Sequence, residues 1–305
     1  MKKPTLSRIT LLTICLTIAA AQSAETAPKS LKQTVMEALS FHASFDDHEN
    51  ADLGQGDNQL YTLTKDKNVV AGNATNGKTL IDKGEGLIGN CLRFTKRDAE
   101  WLFYKAARNI ADTQANWQGS VSVWLKLDPE TDLDPGYTDP ILLTTRQWND
   151  AAFFVDFDKE GNPRDFRLGA FADLQVWKPA NKNVDDIPES QRPLAVVSAP
   201  PFDSDRWTHV VFSWSRFNTG KKDGVAKLYL NGRHVGTVSG WEQTFTWKAS
   251  EEARLYFGLN YIGLLDELSG FNKALTDSEI AWIYRSGRNG YPKAGTAPKK
   301  AKLKP

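Results

Sequence analysis

The stretch YIGLLDELSGFNKALTDSEIAWIY, Tyr261 to Tyr284, contains both kinds of element from which the predicted fold is built. Its first half is apolar and typical of a buried β-strand, although Asp266 and Glu267 stand side by side in it. Its second half predicts a short helix, in which Thr276 is the N-cap and Glu279, three residues later, completes a capping box. A buried strand followed by a capped helix is therefore expected near the end of the chain.

Upstream of this stretch, several short segments alternate apolar and polar residues, as half-buried strands do. The clearest are GSVSVWLKL at 119–127, WTHVVFSWS at 207–215 and AKLYLNGRHVG at 226–236. In the last of these, Asn231 and Gly232 predict a two-residue hairpin turn, because both residue types tolerate a positive φ. Many short strands with little helix predict an all-β fold, a two-sheet antiparallel β-sandwich of jelly-roll type with a short C-terminal helix.

The beginning of the chain, residues 1–24, differs in composition from the rest. Lys2, Lys3 and Arg8 precede a short apolar run, and small residues follow it. This pattern predicts a secretory signal peptide, because the apolar run is too short to span a membrane. No membrane span is expected, and the mature protein is expected to be secreted or periplasmic.

The rest of the chain divides into three parts by composition. Residues 25–39 are expected to form a lead-in with a helix capped by Ser30, and residues 40–287 the β-sandwich domain. The last residues, 288–305, are rich in Lys and are expected to form a disordered tail.

The overall charge and the cysteines narrow the possible functions. The 305-residue chain has a net charge of +1, which gives no electrostatic basis for nucleic-acid binding. Once the signal peptide is removed, Cys91 is the remaining cysteine, so no disulfide within the chain is expected. Its strand-like surroundings predict a buried thiol without a catalytic role.

Several of these segments, taken in order, resemble one known family. They are FHASFDD at 41–47, GSVSVWLKL, DRWTHVVFSW followed by AKLYLNGRHVG, and GLLDELSGFNKALTDSEIAWIY at 263–284. Together they resemble the LamG-like jelly roll domains of the concanavalin A-like lectin/glucanase superfamily, especially those of exported bacterial proteins. The resemblance covers about residues 40–285. It implies a two-sheet jelly roll that is often a carbohydrate- or protein-binding module and often holds a structural Ca²⁺, while some superfamily members are glycosidases.

The resemblance also implies where a Ca²⁺ ion would bind. In jelly rolls of this family the first and last strands run close together, and carboxylates and carbonyls of both can hold the ion. The matching positions in this sequence are Asp266 in the last strand and Asp46 or Asp47 near the first. The alternative is that Asp266 accepts hydrogen bonds from the backbone of a neighbouring loop and holds no ion.

The acidic residues do not follow the pattern of the superfamily's glucanases. Those enzymes need two carboxylates on one sheet face, hence at alternating positions of a strand. Asp266 and Glu267 are adjacent, so they are predicted to point to opposite faces, with Glu267 at the surface. Asp156 and Asp158 share a face but are interpreted as a solvated strand end. No catalytic residue is predicted. The lack of a strand with paired carboxylates favours a protein that is not an enzyme.

Two tryptophans are the predicted ligand-binding residues. Trp148 and Trp177 lie in loops or at strand ends next to Arg, Lys and Asn residues, where an indole can stack on a sugar ring. The alternative for each is packing under the proline-rich segment 176–206.

The most favoured function is an exported, non-catalytic binding module for a polysaccharide, a cell-surface glycan or a protein partner. Two alternatives stay open. One is a glycoside hydrolase or polysaccharide lyase of the same fold, in which segment 176–206 would wall a cleft. The other is a protein-interaction or scaffold domain.

Overall fold

A computed structural model describes Met1 and residues 29–97, 100–110, 115–247 and 252–287. The predicted signal peptide and the predicted C-terminal tail lie outside the described residues. In the part of the chain that is described, no helix is both long enough and apolar enough to cross a membrane.

Two antiparallel sheets make up the body of the protein. Sheet 1 contains nine strands: β1 (Leu39–Ala43), β2 (Leu53–Gly54), β5 (Thr79–Asp82), β6 (Cys91–Phe94), β8 (Trp117–Lys126), β13 (Thr208–Phe217), β14 (Val225–Leu230), β15 (Arg233–Val238) and β17 (Gly263–Phe271). Their order is β15–β14–β13–β8–β17–β1–β2, and β6 also pairs with β17 and carries β5 on its other side.

Sheet 2 contains eight strands: β3 (Tyr61–Leu63), β4 (Val69–Ala71), β7 (Trp101–Lys105), β9 (Thr138–Thr144), β10 (Ala152–Gly161), β11 (Arg164–Phe171), β12 (Leu194–Val197) and β16 (Arg254–Leu259). Their order is β12–β11–β10–β9–β16–β7–β3–β4. The predicted two-sheet antiparallel sandwich is therefore confirmed.

Phe153 of β10 lies at the centre of the aromatic part of the core between the sheets. Its ring centroid is 4.7 Å from that of Trp214, 5.0 Å from Phe245 and 5.3 Å from Phe217. Successive strand residues point to opposite faces, so Phe153 faces the core whereas Phe154 faces away from it. The strict alternation in β10 thus supplies side chains to both faces of sheet 2.

Two helices cover the outer face of sheet 1. They are α1 (Leu31–Ala38) and α3 (Asp277–Ser286), and each begins as predicted. Ser30 accepts a hydrogen bond from the backbone N–H of Gln33, and Thr276 and Glu279 form the capping box. The buried residues between helices and sheet are Val35, Ala38, Leu39, Val211, Tyr229, Phe271, Leu275, Ile280 and Ile283.

The proline-rich segment covers part of the outer face of sheet 2. It begins at the end of the one-turn helix α2 (Leu174–Trp177), contains two 3₁₀ turns, Val184–Asp186 and Glu189–Gln191, and includes β12. The segment contributes Trp177 and Ile187 to a second group of buried residues, the outer cluster: Phe103, Leu142, Ala152, Phe154, Phe171, Ala172, Trp177, Ile187, Tyr256 and Leu259. The segment therefore packs against the sheet instead of extending away from it.

Phe153→Ala is expected to lower the free energy of unfolding by about 3–5 kcal/mol, because it leaves a cavity among several aromatic rings. Urea denaturation followed by circular dichroism measures this loss. Val70→Ala is the control, since Val70 is 41% exposed on strand β4, and its effect should stay within about 0.5 kcal/mol. Equal losses for the two variants would contradict this description of the core.

Candidate functional site

Strand β17 changes its pairing partner halfway along its length. Its first residues pair with β6 and its last residues with β1. Against β8, the register shifts by one residue between Asp266 and Ser269. The backbone of Glu267 lies in the left-handed region, with a φ of 53°, so this is a β-bulge with one extra residue. Because of the extra residue, Leu265 and Leu268 both reach the core.

Asp266 anchors the loop between β5 and β6. The residue is fully buried, and its Oδ2 accepts a hydrogen bond from the backbone N–H of Leu87 at 2.8 Å. Its Oδ1 accepts from the N–H of Glu267 at 2.9 Å. Asp46 holds the same loop, because its Oδ1 accepts from the N–H of Asn90 at 2.9 Å. Asp266 therefore does bind the backbone of a neighbouring loop, as the alternative interpretation proposed.

Glu267 is buried, and the prediction that it lies at the surface was wrong. It is 1% exposed, because the bulge turns it inward. Its Oε2 has no hydrogen-bond partner among the described residues and lies 3.4 Å from Nε2 of His42. The other ring nitrogen of His42, Nδ1, is 2.9 Å from Oγ of Ser269. The two adjacent carboxylates thus have separate environments, and both are internal.

Burial is the main cause of the shifted pKa values of Asp266, Glu267 and His42. It raises the pKa of Asp266 to about 8, and the negative charge of Asp46 adds to the shift. Burial, together with the charges of Asp266 and Asp46, raises the pKa of Glu267 well above its ordinary value. Burial lowers the pKa of His42 to about 4. At neutral pH the pair of His42 and Glu267 is therefore uncharged.

The structure tests the geometry of the predicted Ca²⁺ ligands only in part. Asp266 and Asp46 are brought together at the loop between β5 and β6, whereas Asp47 is exposed. Among the described residues, no group of three or more His, Cys, Asp or Glu side chains is arranged to hold a metal ion. The Ca²⁺ site therefore stays a prediction, and any ion there would need backbone carbonyl ligands as well.

Trp148 presents its indole at the surface of sheet 2. It lies in the loop between β9 and β10 and is 39% exposed. The centroid of its ring lies 5.6 Å from that of Phe171 and 6.1 Å from that of Phe154, and both contacts are edge-on. The indole therefore packs against buried rings of the outer cluster. Nη1 of Arg146 donates a hydrogen bond to Oδ1 of Asp150 at 3.3 Å, and this bond joins the two ends of the loop. The exposed indole is thus held on a rigid base.

Trp177 does not offer a binding surface, which corrects the prediction made for it. It is 5% exposed, and its ring packs edge-on against Phe171 at 4.9 Å. Its Nε1 donates a hydrogen bond to the carbonyl oxygen of Asn149 at 2.9 Å. Because Asn149 follows Trp148 in the chain, Trp177 supports the loop that carries the exposed indole.

Asp156 is also buried, contrary to its interpretation as a solvated strand end. It lies opposite Arg167 on β11, whose Nε donates to Oδ1 of Asp156 at 3.0 Å. Burial raises the pKa of Asp156 to about 6. Burial opposes the charge of Arg167, but the hydrogen bonds and charge of Asp156 outweigh it and raise the pKa of Arg167. Asp156 is therefore charged and paired at neutral pH.

Three further acidic residues surround this ion pair: Asp158, whose Oδ1 lies 3.5 Å from Nη1 of Arg167, and Glu189 and Asp139, whose roles sequence reasoning missed. Glu189, from the proline-rich segment, binds Nη1 of Arg167. Asp139 of β9 lies close by, and burial together with the charge of Asp156 raises its pKa well above the ordinary value. The sequence shows that β10 and β11 form a hairpin, but the register shifts between Phe157 and Gly161, so the pairing of Asp156 with Arg167 cannot be counted from the turn.

Cys91 is fully buried, as predicted. Burial raises the pKa of its thiol to about 12, and the nearby charge of Asp266 adds to the shift. The thiol is therefore protonated and unreactive at neutral pH.

Asp266→Asn should change how stability depends on pH in the presence of EDTA. Between pH 3.8 and about 8, folded wild-type protein keeps a proton on Asp266 that the unfolded chain has released. Wild-type stability therefore falls, relative to the variant, as the pH rises through this window, by up to about 1.4 kcal/mol per pH unit. Urea denaturation at several pH values measures the difference. Asp205→Asn, at an exposed position, should show no such trend, and a pH-independent difference for Asp266→Asn would refute the expectation.

Comparison with known proteins gives one family and a set of structural neighbours. A family model described as the concanavalin A-like lectin/glucanases superfamily, Laminin_G_3, matches residues 104–281. No curated protein sequence matches the chain significantly.

The structural neighbours are remote in sequence. The binding domain of Paraclostridial Mosquitocidal Protein 1 is 13% identical, with a TM-score of 0.52 over 83% of this chain and 53% of that one. Domain 4 of AbnA, a GH43 extracellular arabinanase from Geobacillus stearothermophilus solved with arabinotriose, is 19% identical, with a TM-score of 0.47 over 81% of this chain and 98% of that one. The ligand-binding domain of botulinum neurotoxin serotype D, solved with N-acetylneuraminic acid, is 12% identical, with a TM-score of 0.47 over 84% and 53%.

This chain spans about half the length of the two toxin domains. At these identities, the similarity to the mosquitocidal protein shows a shared fold. The family match extends over more than half of the chain and agrees with the two-sheet architecture. The protein is therefore a member of the Laminin_G_3 family of the concanavalin A-like lectin/glucanases superfamily.

Proposed function

We propose that this protein is an exported, non-catalytic carbohydrate-binding module in which Trp148 is the platform for a sugar ring. The observation that carries the proposal is an indole that is 39% exposed yet stands edge-on upon two buried rings. Such an indole costs little entropy to immobilise and presents a rigid apolar face. The C–H face of a pyranose or furanose ring complements that face.

A polar group next to Trp148 suits a hydroxyl of the same sugar. The amide of Gln147 is exposed, whereas the guanidinium of Arg146, at the base of the loop, already binds Asp150, Asp173 and the carbonyl oxygen of Thr246. Binding sites for small polar ligands combine an apolar surface with a few fixed polar groups. Membership in a superfamily named for lectins and glucanases is consistent with a carbohydrate ligand.

The positions of the acidic residues support the non-catalytic part of the proposal. A glycosidase needs one carboxyl group as acid and a second as nucleophile or base, both open to the substrate. Asp156 is bound to Arg167, while Asp266 and Glu267 are buried in the bulge of β17. Export is proposed from the signal-peptide pattern of residues 1–24.

Trp148→Ala should reduce binding to a recognised polysaccharide by a factor of about 5 to 150, if a sugar ring stacks on an aromatic side chain as strongly as a nucleobase does, with about 1–3 kcal/mol. A screen of neutral polysaccharides by affinity electrophoresis, followed by calorimetry on the best ligand, measures the change. Tyr284→Ala is the matched control, since Tyr284 is 37% exposed but lies on α3, beside sheet 1. Undiminished binding by Trp148→Ala, or a wild-type protein that binds no glycan, would refute the proposal.

We further propose a structural Ca²⁺ ion at the loop between β5 and β6, with Asp266 and Asp46 as carboxylate ligands. Among the described residues, Oε2 of buried Glu267 has no hydrogen-bond partner, and burial together with neighbouring acidic charges raises the pKa values of Asp266 and Glu267, a shift that a bound cation would counteract. Each carboxylate oxygen that accepts an N–H keeps a second lone pair for the ion. Backbone carbonyls of the loop would supply further oxygens.

Ca²⁺ added to protein stripped with EDTA is therefore expected to raise the melting temperature by several degrees, since an ion that binds only the folded state stabilises it. Differential scanning fluorimetry over a range of Ca²⁺ concentrations measures the shift. Asp266→Asn should abolish most of it, whereas Asp205→Asn should not. If Ca²⁺ leaves the melting temperature of the wild type unchanged, the proposal of a structural Ca²⁺ ion is wrong.

A further inference from the structure

Tyr137 is an exposed aromatic residue at the end of β9 that lies opposite to Trp148. It directly precedes β9 and is 42% exposed, whereas Trp148 lies in the loop that follows this strand. The strand contains seven residues, and at about 3.3 Å per residue its two ends are about 20 Å apart. Sheet 2 therefore carries one exposed aromatic ring near each end of the same strand.

Both rings lie on the outer face of sheet 2. The guanidinium carbon of Arg167 is 4.9 Å from the centroid of the Tyr137 ring. Arg167 follows Phe166, whose side chain belongs to the core between the sheets, so Arg167 points to the outer face. Trp148 packs against rings of the outer cluster, on the same face. One long ligand can therefore contact both rings.

The side chain of Tyr137 rests on a fixed base. Arg167 is buried, and its guanidinium binds Asp156 and Glu189. A guanidinium over the face of an aromatic ring also attracts the ring electrostatically. The ring of Tyr137 is thus supported from one side by a cation that is itself held in place.

The backbone before Tyr137 is held by a second arginine. Arg164 is buried, and its Nη1 donates a hydrogen bond to the carbonyl oxygen of Gly136 at 3.3 Å. Its Nη2 donates to the carbonyl oxygens of Leu133 and Asp134, each at 3.1 Å. A ring that is fixed through both its side chain and its backbone loses little conformational entropy when a ligand stacks on it.

Hydrogen-bond acceptors lie close to the Tyr137 ring. Oδ1 of Asp158 is 3.5 Å from Nη1 of Arg167, and Oε1 of Glu189 binds the same nitrogen. Both carboxylates are partly exposed, and each has a second oxygen that can accept a hydrogen bond from a hydroxyl group. A sugar ring has an apolar C–H face and hydroxyl groups at its edge, so it matches an aromatic ring that is flanked by acceptors.

The proline-rich segment borders the path from one ring to the other. At one end, Nε1 of Trp177 donates to the carbonyl oxygen of Asn149, next to Trp148. At the other end, Glu189 binds the arginine that supports Tyr137. The exposed polar residues between these two contacts are Asn181, Lys182, Asn183, Asp185 and Asp186. A ligand that follows the segment therefore meets hydrogen-bonding groups along its length.

We propose that sheet 2 binds an extended polysaccharide chain, with Trp148 and Tyr137 as two platforms for sugar rings of the same chain. The inference rests on the proposed function and names its ligand class: a chain that extends over about 20 Å, not a single sugar or a disaccharide. Two contacts with one chain strengthen each other, because the second forms within a complex that the first already holds together. Affinity therefore depends on the length of the chain.

Calorimetry with oligosaccharides of increasing length tests the proposal. The probes are the cello-, xylo-, manno- and arabino-oligosaccharides, each from the disaccharide to the octasaccharide. In the series that binds, oligosaccharides long enough to span β9 should bind wild-type protein at least about tenfold more tightly than those too short to do so. Equal affinity for short and long members would overturn the proposal.

Variants show whether Tyr137 is responsible for the dependence on length. Tyr137→Ala should abolish it, while the affinity for short oligosaccharides, which still bind at Trp148, should change little. Tyr137→Phe keeps the aromatic ring and should keep the dependence. Tyr284→Ala, on the helix beside sheet 1, should keep it too. A loss of the dependence in Tyr284→Ala would contradict the assignment to sheet 2.

The failure of this inference differs from the failure of the proposed function. If Trp148→Ala weakens binding but Tyr137→Ala leaves the dependence on length unchanged, the extended site is wrong and the proposed function stands. If none of the four series binds to the wild type and the polysaccharide screen is also negative, the proposed function is wrong, and the extended site with it.

Discussion

The change of partner in the middle of β17 is the constraint around which sheet 1 is arranged. One strand has to pair with β6 at its start and with β1 at its end, while β8 runs along its other edge. The extra residue at Glu267 takes up the mismatch, and without it Leu268 would turn away from the core. The loop between β5 and β6 lies against Asp266, next to the bulge, and its backbone N–H groups donate hydrogen bonds to Asp266 and Asp46. Asp266, which looks out of place in an apolar strand, thus connects β17 to the loop that precedes β6.

The architecture was largely predictable from the chain, because it depends on local patterns. Alternation in β8, β13 and β14 predicts a sandwich, and the spacing of Thr276 and Glu279 predicts the start of α3. The burial of Glu267 was not predictable, since a bulge depends on which strands flank β17, and β6 lies far away in the sequence. The same reason applies to Asp156, whose partner is defined by a cross-strand register that shifts within the hairpin. Exposure of Trp148 and burial of Trp177 depend on how the proline-rich segment folds back over sheet 2.

Coverage by other segments decides which surfaces remain open to a ligand. Helices α1 and α3 close the outer face of sheet 1, and a layer of buried polar side chains lies beneath them, in which Ser122 pairs with His209. The proline-rich segment closes part of sheet 2. What remains includes the rim of the sandwich, where the loop between β9 and β10 carries the exposed indole of Trp148. This surface is apolar and rigid.

The packing of the helices also determines the direction in which the domain faces. Helix α1 begins at one boundary of the described domain and α3 ends at the other, and both rest on sheet 1; a side chain at Gly287 would come within 2.5 Å of the Trp124 ring of that sheet. Trp148 stands on the opposite sheet. Whatever chain leads into residue 29 or away from residue 287 therefore leaves from the side remote from the indole. If the domain were attached to another structure at either point, Trp148 would lie on the side of the domain that faces away from the attachment.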